Sequence, residues 1–210
     1  MKIDRLILGS FQTNSYVVRL DEAAQECIVI DTGLDSTELP GFLEDRQLSV
    51  TAVILTHGHA DHIAGIPALK HRHPGLRVYI HRLDADLLTD PDANLSLLSG
   101  ASFQTDPADV LLEDGDVITE AGITLNVLHT PGHTAGGICL YVESEGVVFA
   151  GDTLFAEGVG RSDFPGGDGR QLIRSIRTRL LTLPPETAVY PGHAMRTTIA
   201  HEKSHNPFLA

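Results

Sequence analysis

Four ionisable side chains fall within six consecutive positions of this chain, His57, His59, Asp61 and His62, in the run Thr56-His57-Gly58-His59-Ala60-Asp61-His62. Imidazole nitrogen and carboxylate oxygen together suit Zn²⁺, and Fe or Mn can use the same donors. His57 and His59 are two apart, so an extended or turning backbone can aim both rings to one side. Asp61 and His62, in the first turn of a following helix, can face a second point nearby. One short loop can therefore serve two adjacent ions. Three further candidates stand alone: His133 in Thr130-Pro131-Gly132-His133-Thr134, Asp152 in Gly151-Asp152-Thr153, and His193 in Tyr190-Pro191-Gly192-His193. The plain alternative is a set of solvated loop histidines. Against it stands the repeated setting, because each candidate directly follows a strand-like run in a Gly-containing turn. Paired divalent ions bring the pKa of a shared water toward neutrality and polarise a carbonyl, which is hydrolytic chemistry.

The elements that must position these residues read as follows. Ile3–Leu8, Tyr16–Leu20 and Cys27–Ile30 are β-rich runs, the last leading into Asp31-Thr32-Gly33. A helix is expected over Ser36–Arg46, capped by Ser36 or Asp35. Val50–Leu55 is a continuous apolar run of strand length, the pattern of a strand covered on both faces. Ala60–His71 follows as a helix. Val117–Thr119 with Ile123–His129, and Ile138–Val142 with Val147–Ala150, read as hairpins. Gln171–Leu181 carries Leu172, Ile173, Ile176, Leu180 and Leu181 on one helical stripe. Ala188–Tyr190 is a last strand, and a polar helix from about Arg196 precedes Asn206-Pro207. Strands lead each half and helices follow, which predicts an α/β (α+β) αββα sandwich of two sheets within one domain spanning 1–210.

Composition excludes several function classes. The chain has 210 residues, 42% hydrophobic and 20% charged, with a formal net charge of -13. A polyanion such as nucleic acid is repelled at long range by that balance, and no basic, aromatic-interleaved stripe offsets it. No apolar run approaches the roughly 18 residues that span a bilayer. The first residues show no signal-peptide cleavage pattern, so the expectation is a cytoplasmic protein without membrane or nucleic-acid partners. The oligomeric state is left open.

Cys27 and Cys139 each lie in an apolar stretch and read as small core residues, as expected in a reducing compartment. His71, His73, His81, His201 and His205 read as solvated surface residues. His129, at a strand end, reads as structural, with support of a metal ligand as the alternative. Asp31 is a candidate acceptor fixing a histidine tautomer, with capping of its own turn as the alternative.

His57-Gly58-His59-Ala60-Asp61-His62, followed in order by His133, Asp152 and His193, resembles the ligand pattern of the metallo-β-lactamase superfamily over essentially the whole chain. Within it the chain looks most like glyoxalase II (hydroxyacylglutathione hydrolase) of the short bacterial type. Gly158-Val159-Gly160-Arg161-Ser162-Asp163-Phe164-Pro165 and the ending His205-Asn206-Pro207-Phe208-Leu209 support that likeness. The resemblance implies that His57, His59 and His133 hold one ion, that Asp61, His62 and His193 hold the other, and that Asp152 bridges them. It implies two divalent ions, Zn²⁺ first, a small-molecule thioester such as S-lactoylglutathione as substrate, and catalytic parts for Asp61 and Asp152. Lactamases proper generally place cysteine at the bridging position, so Asp152 argues against β-lactams as main substrates. Arg161 falls where glyoxalase II has a basic residue contacting the peptide part of glutathione; a buried ion pair with Asp163 is the alternative. Full-length glyoxalase II has a C-terminal helical region with further glutathione contacts, which this chain is expected to lack. Persulfide dioxygenases resemble the chain as well, including the Gly160–Phe164 stretch, and use one iron at positions matching His57, His133 and Asp152.

Overall fold

The structure, a computed structural model, describes residues 1–34, 37–99 and 102–210, with 98 and 99 described by backbone alone. Six strands form the first sheet in sequence order: β1 (Lys2–Leu8), β2 (Thr13–Arg19), β3 (Glu26–Ile30), β4 (Ser49–Ile54), β5 (Arg77–His81) and β6 (Val110–Leu112). The first three are antiparallel and the steps from β3 to β6 are parallel. The second half supplies β7 (Val117–Glu120), β8 (Ile123–His129), β9 (Ile138–Val142) and β10 (Val147–Gly151). A two-stranded ribbon follows, β11 (Leu154–Phe155) and β12 (Gly158–Val159), and then β13 (Ala188–Pro191) and β14 (Thr197–Thr198). The second sheet is ordered β14-β13-β10-β9-β8-β7, with β10 and β13 parallel and the rest antiparallel.

Helices cover the outer faces. They are α1 (Glu38–Asp45), α2 (Ala60–Ile63), α3 (Ile66–Arg72), α4 (Gly169–Ser175), which runs on as a π-turn to Leu180, and α5 (Ile199–His205). Strand alternation divides the apolar residues into three cores. Val17, Val29 and Val53 point outward with Leu39, Ile63 and Leu69 of the helices. Ile28, Ile30 and Ile54 point inward against Leu125, Leu140 and Phe149 of the second sheet. Val148, Ala150 and Val189 face Leu172, Ile176 and Ile199 on the far side. That is an αββα sandwich. Among the described residues no helix is long and apolar enough to cross a membrane.

Four expectations are corrected. The single helix over Ala60–His71 is two, α2 and α3, because Pro67 lacks the N–H that a continuous helix needs there. Gly65 at the break also lies so close to Thr32 that an added Cβ would stand 2.7 Å from its carbonyl oxygen. The helix expected from Ser36 begins at Glu38, and its predicted caps, Asp35 and Ser36, lie outside the described residues. The last helix begins at Ile199 rather than near Arg196, where β14 intervenes, and Thr198 caps it by accepting from His201 N–H at 3.2 Å. His81 is not a surface residue. It ends β5 at 3% exposure, stacked on His129 with ring centroids 4.1 Å apart. Cys27 and Cys139 are buried in different cores, and burial pushes their thiols up to about 12 and about 11.

Candidate metal centre

All seven candidate ligands lie along one rim of the sandwich, where the C-terminal ends of β4, β8, β10 and β13 open into turns. Loops at strand ends are held by a rigid scaffold yet carry no ladder of their own, so they can serve chemistry without disturbing the sheets. β4 leads through Thr56 to His57 and His59, and α2 places Asp61 and His62 in its only turn. β8 leads to His133, β10 to Asp152 and β13 to His193. The two sheets are clipped together beside them. Asn14, buried at the start of β2, donates through Nδ2 to Pro191 O at 2.9 Å and Ala194 O at 3.0 Å, and Tyr16 donates through its hydroxyl to Pro191 O at 2.6 Å. Gly192 is forced by crowding, since a Cβ there would collide with Asp152 Oδ1.

The donor atoms converge into three overlapping groups. His57, His59 and His133 form one, Asp61, His62 and His193 another, and His57, His62 and Asp152 link the two, with every donor atom of a group within 4.8 Å of the others. His133 Nε2 stands 2.9 Å from His59 Nδ1 and 3.2 Å from His57 Nε2. Asp152 Oδ2 lies 3.6 Å from His133 Nε2 and 3.4 Å from His193 Nε2, and Oδ1 lies 3.5 Å from His62 Nε2. Asp61 Oδ2 is 3.4 Å from His62 Nε2 and 3.3 Å from His193 Nε2. Asp152 thus faces both histidine sets.

Whether these residues fit divalent cations can be read from their bonding. His62 Nε2 and Asp152 Oδ1 are buried without a hydrogen-bond partner in the protein, and a buried polar atom left unpaired costs about 1–3 kcal/mol. The outward nitrogens are engaged instead. His62 Nδ1 donates to Asp31 Oδ2 at 2.9 Å, His133 Nδ1 donates to Arg161 O at 2.7 Å, and His57 Nδ1 faces Thr56 Oγ1 at 3.2 Å. Each such bond fixes a tautomer and turns the other nitrogen's lone pair inward, the usual arrangement behind a ligating histidine. Thr13 donates to Asp61 Oδ2 at 2.8 Å. The donor set fits two divalent ions.

Electrostatics agree with that fit. Burial, and after it the neighbouring imidazoles, holds His57 well below the ordinary value and pushes His59 down to about 3. Both stay neutral with lone pairs available. Burial also opposes charge on Asp61 and Asp152, yet the surrounding histidines outweigh it and hold both carboxyls below the usual range. Burial pulls His62 and His193 down, but the facing carboxylates raise them to about 9 and about 10. Cations binding there would displace those protons.

A cavity of about 290 Å³ opens onto the centre, walled by Phe11, Leu34, Leu95 and Phe164, with Arg161 at its rim. Arg161 makes a bidentate pair with Asp163, two contacts of 2.8 Å, and stacks 3.7 Å over Phe164. The pair is exposed rather than buried, at 57% and 70% of the side chains, so it contributes little to stability. Four polar residues around the centre escaped sequence reasoning: Thr13, Asn14, Thr56 and Asp84. Thr56 alone had a local signal, its place beside His57.

The family model of the metallo-beta-lactamase superfamily matches residues 8–193. YqgX of Bacillus subtilis, named a probable metallo-hydrolase, is 34% identical over 210 residues, covering 100% of this chain and 98% of that protein. The hydroxyacylglutathione hydrolase GloC of Haemophilus influenzae is 35% identical over 216 residues, covering 100% and 98%. Among solved structures, BLEG-1, described as a B3 metallo-beta-lactamase, superimposes with a TM-score of 0.94 at 39% identity over both whole chains. TTHA1623 in a di-iron-bound form gives 0.85 at 38% identity, covering 98% of this chain and 100% of that one. ETHE1 from Myxococcus xanthus gives 0.79 at 32%, covering 99% and 84%. On a matched model spanning most of its length and relatives of this identity, the chain belongs to the metallo-β-lactamase superfamily.

Proposed function

We propose that this protein is a two-metal thioester hydrolase of glyoxalase II type, with S-lactoylglutathione as the first substrate to try. The observation that carries the reading is the meeting of two three-residue donor sets across Asp152. The complete second set, Asp61, His62 and His193, supports two ions over one, although dioxygenases of this family can retain such residues without using them. Two divalent ions, Zn²⁺ before Fe or Mn, would supply an acidified water and polarise the acyl carbonyl. The chain's own groups do the rest. Asp61, steadied by Thr13, orients the attacking water. Asp31 keeps the His62 lone pair turned inward. A thiolate is a good leaving group and departs without help from a protein acid. Phe11, Leu34, Leu95 and Phe164 hold the substrate's apolar parts and limit water. Arg161 contacts the peptide part of the thiol, in competition with Asp163.

The name that GloC carries supports this reading. A second reading, a mononuclear iron dioxygenase acting on glutathione persulfide, is favoured by the likeness to ETHE1. The description of BLEG-1 brings β-lactams into the comparison, against which Asp152 stands as before. Purified protein offered S-lactoylglutathione, glutathione persulfide with dissolved oxygen, and a chromogenic cephalosporin separates the three. Thioester cleavage as the dominant rate supports the proposal. Oxygen uptake on the persulfide, with no thioester cleavage, replaces it by the second reading.

A further inference from the structure

Asp84 belongs to none of the donor sets, yet its carboxylate is fully buried between the two loops that carry His57, His59 and His133. Its Oδ2 accepts from Gly58 N–H at 3.2 Å and from Thr134 Oγ1 at 2.7 Å, and its Oδ1 accepts from Gly136 N–H at 2.6 Å. Gly58 lies between two candidate ligands and Thr134 follows the third. Contact is so close at Gly136 that an added Cβ would stand 2.6 Å from Oδ1. Asp84 itself sits in a 3-10 helix, Arg82–Leu88, which is anchored at its start by His81 accepting from Leu83 N–H at 3.3 Å. A third segment of the chain therefore reaches in to hold two loops that no covalent bond ties together.

A buried carboxylate is costly unless donors compensate it. All three of the donors to Asp84 come from the two ligand loops, so folding makes their separation part of one hydrogen-bonded unit. Ligand placement governs metal affinity, and groups that fix ligands from behind are worth about 10–100-fold in binding. We infer that Asp84 is a positioning residue that sets the distance from His57 and His59 to His133, and so the affinity of that triad for its ion. The inference rests on the two-ion reading above.

Zinc titration of metal-stripped protein against a chromophoric chelator tests it, using wild type, Asp84→Asn, Thr134→Val and Thr134→Ser. Glu202→Gln is the control. Glu202 is equally buried, on α5, and accepts from Thr197 Oγ1 at 2.6 Å, Glu157 N–H at 2.9 Å and Asn206 Nδ2 at 2.8 Å, away from both loops. Wild type is expected to bind two ions. Asp84→Asn is expected to keep one affinity and lose about 10–100-fold in the other. Thr134→Val should lose less, and Thr134→Ser should restore it; this pair carries the test if Asp84→Asn does not fold. Glu202→Gln should lower the melting temperature with both affinities intact. Unchanged affinities in Asp84→Asn, or an equal loss in Glu202→Gln, overturn the inference. A wild type that fails to bind two ions brings down the two-ion reading itself.

Discussion

Asp31 Oδ2 lies 2.9 Å from Nδ1 of His62, so the carboxylate at the end of β3 dictates which imidazole nitrogen of α2 faces the centre. Asp31 stands there with a positive φ of 55°, a conformation that costs a non-glycine residue on the order of 1 kcal/mol. The same carboxylate accepts from Thr56 N–H at 2.9 Å and Thr56 Oγ1 at 2.8 Å. It therefore ties β3, the His57 loop and α2 into one unit. If Asp61, His62 and His193 hold an ion as proposed, Asp31→Ala is expected to weaken its binding about 10–100-fold. A zinc competition titration reads this directly, and affinities equal to wild type would contradict it.

Asp152→Ala removes the one carboxylate, among the described residues, that faces both histidine sets. Turnover is expected to fall at least about 100-fold, with weaker retention of metal through gel filtration. Steady-state kinetics and metal counting on the same sample check both parts. Activity near wild type would refute the bridging position.

Removing the ions should also destabilise the fold. Ring nitrogens that face one another at 2.9 and 3.2 Å repel unless a proton or a cation lies between them. Ions present at about 1,000 times their Kd add about 4 kcal/mol to the folded state. For a chain of this size that corresponds to a melting temperature higher by on the order of 10 °C. Calorimetry before and after chelation, with zinc added back, gives the number; coincident transitions would mean no such coupling.

Acid should act through His81, apart from the centre. Burial, followed by the stacked His129, lowers its pKa from 6.5 to about 4, and its Nδ1 is already used as an acceptor by Leu83 N–H. The folded state thus prefers neutral His81. Its stabilising share is complete above pH 6.5, falls as the pH drops through the window from 6.5 to about 4, and is gone below that. Denaturant unfolding of wild type and His81→Asn across this window should show their difference shrinking by roughly 3 kcal/mol. A difference independent of pH would show that His81 does not titrate this way.

Leu95, on the cavity wall, has a φ of +67°, a conformation leucine adopts at a cost and glycine freely. Leu95→Gly is expected to leave the melting temperature unchanged or higher while KM for an apolar acyl thioester rises about tenfold. The latter corresponds to roughly 1.4 kcal/mol of lost apolar contact. A lower melting temperature with KM unchanged would reduce Leu95 to a structural residue.

The candidate centre was legible in the sequence because its candidate ligands combine unusual residue types with a repeated setting. His57 to His62 stand almost side by side, and His133, Asp152 and His193 each end a recognisable apolar run. What supports them was not legible. Asp84 is one acid among many in an acidic chain, and its three partners come from positions 26 to 52 residues away, brought near only by tertiary folding. Thr13 and Asn14 belong to β2, which reads as starting at Tyr16 because polar residues precede the apolar ones. Thr13 reaches Asp61 and Asn14 holds the turn that carries His193, so their polarity serves bonds beside the centre rather than a loop. β5 and β6 give little strand signal, since Arg77, His81 and the brief Val110–Leu112 interrupt or shorten the apolar run. His81 reads as a surface residue for the same reason, and its burial depends on His129 from the opposite sheet.

Anomalous diffraction from crystals grown with zinc tests the central claim most directly. Two peaks are predicted, one among His57, His59 and His133 and one among Asp61, His62 and His193, with the Asp152 carboxylate touching both. A single peak with Asp61 and His193 turned away from it, or no peak at all, would contradict the account.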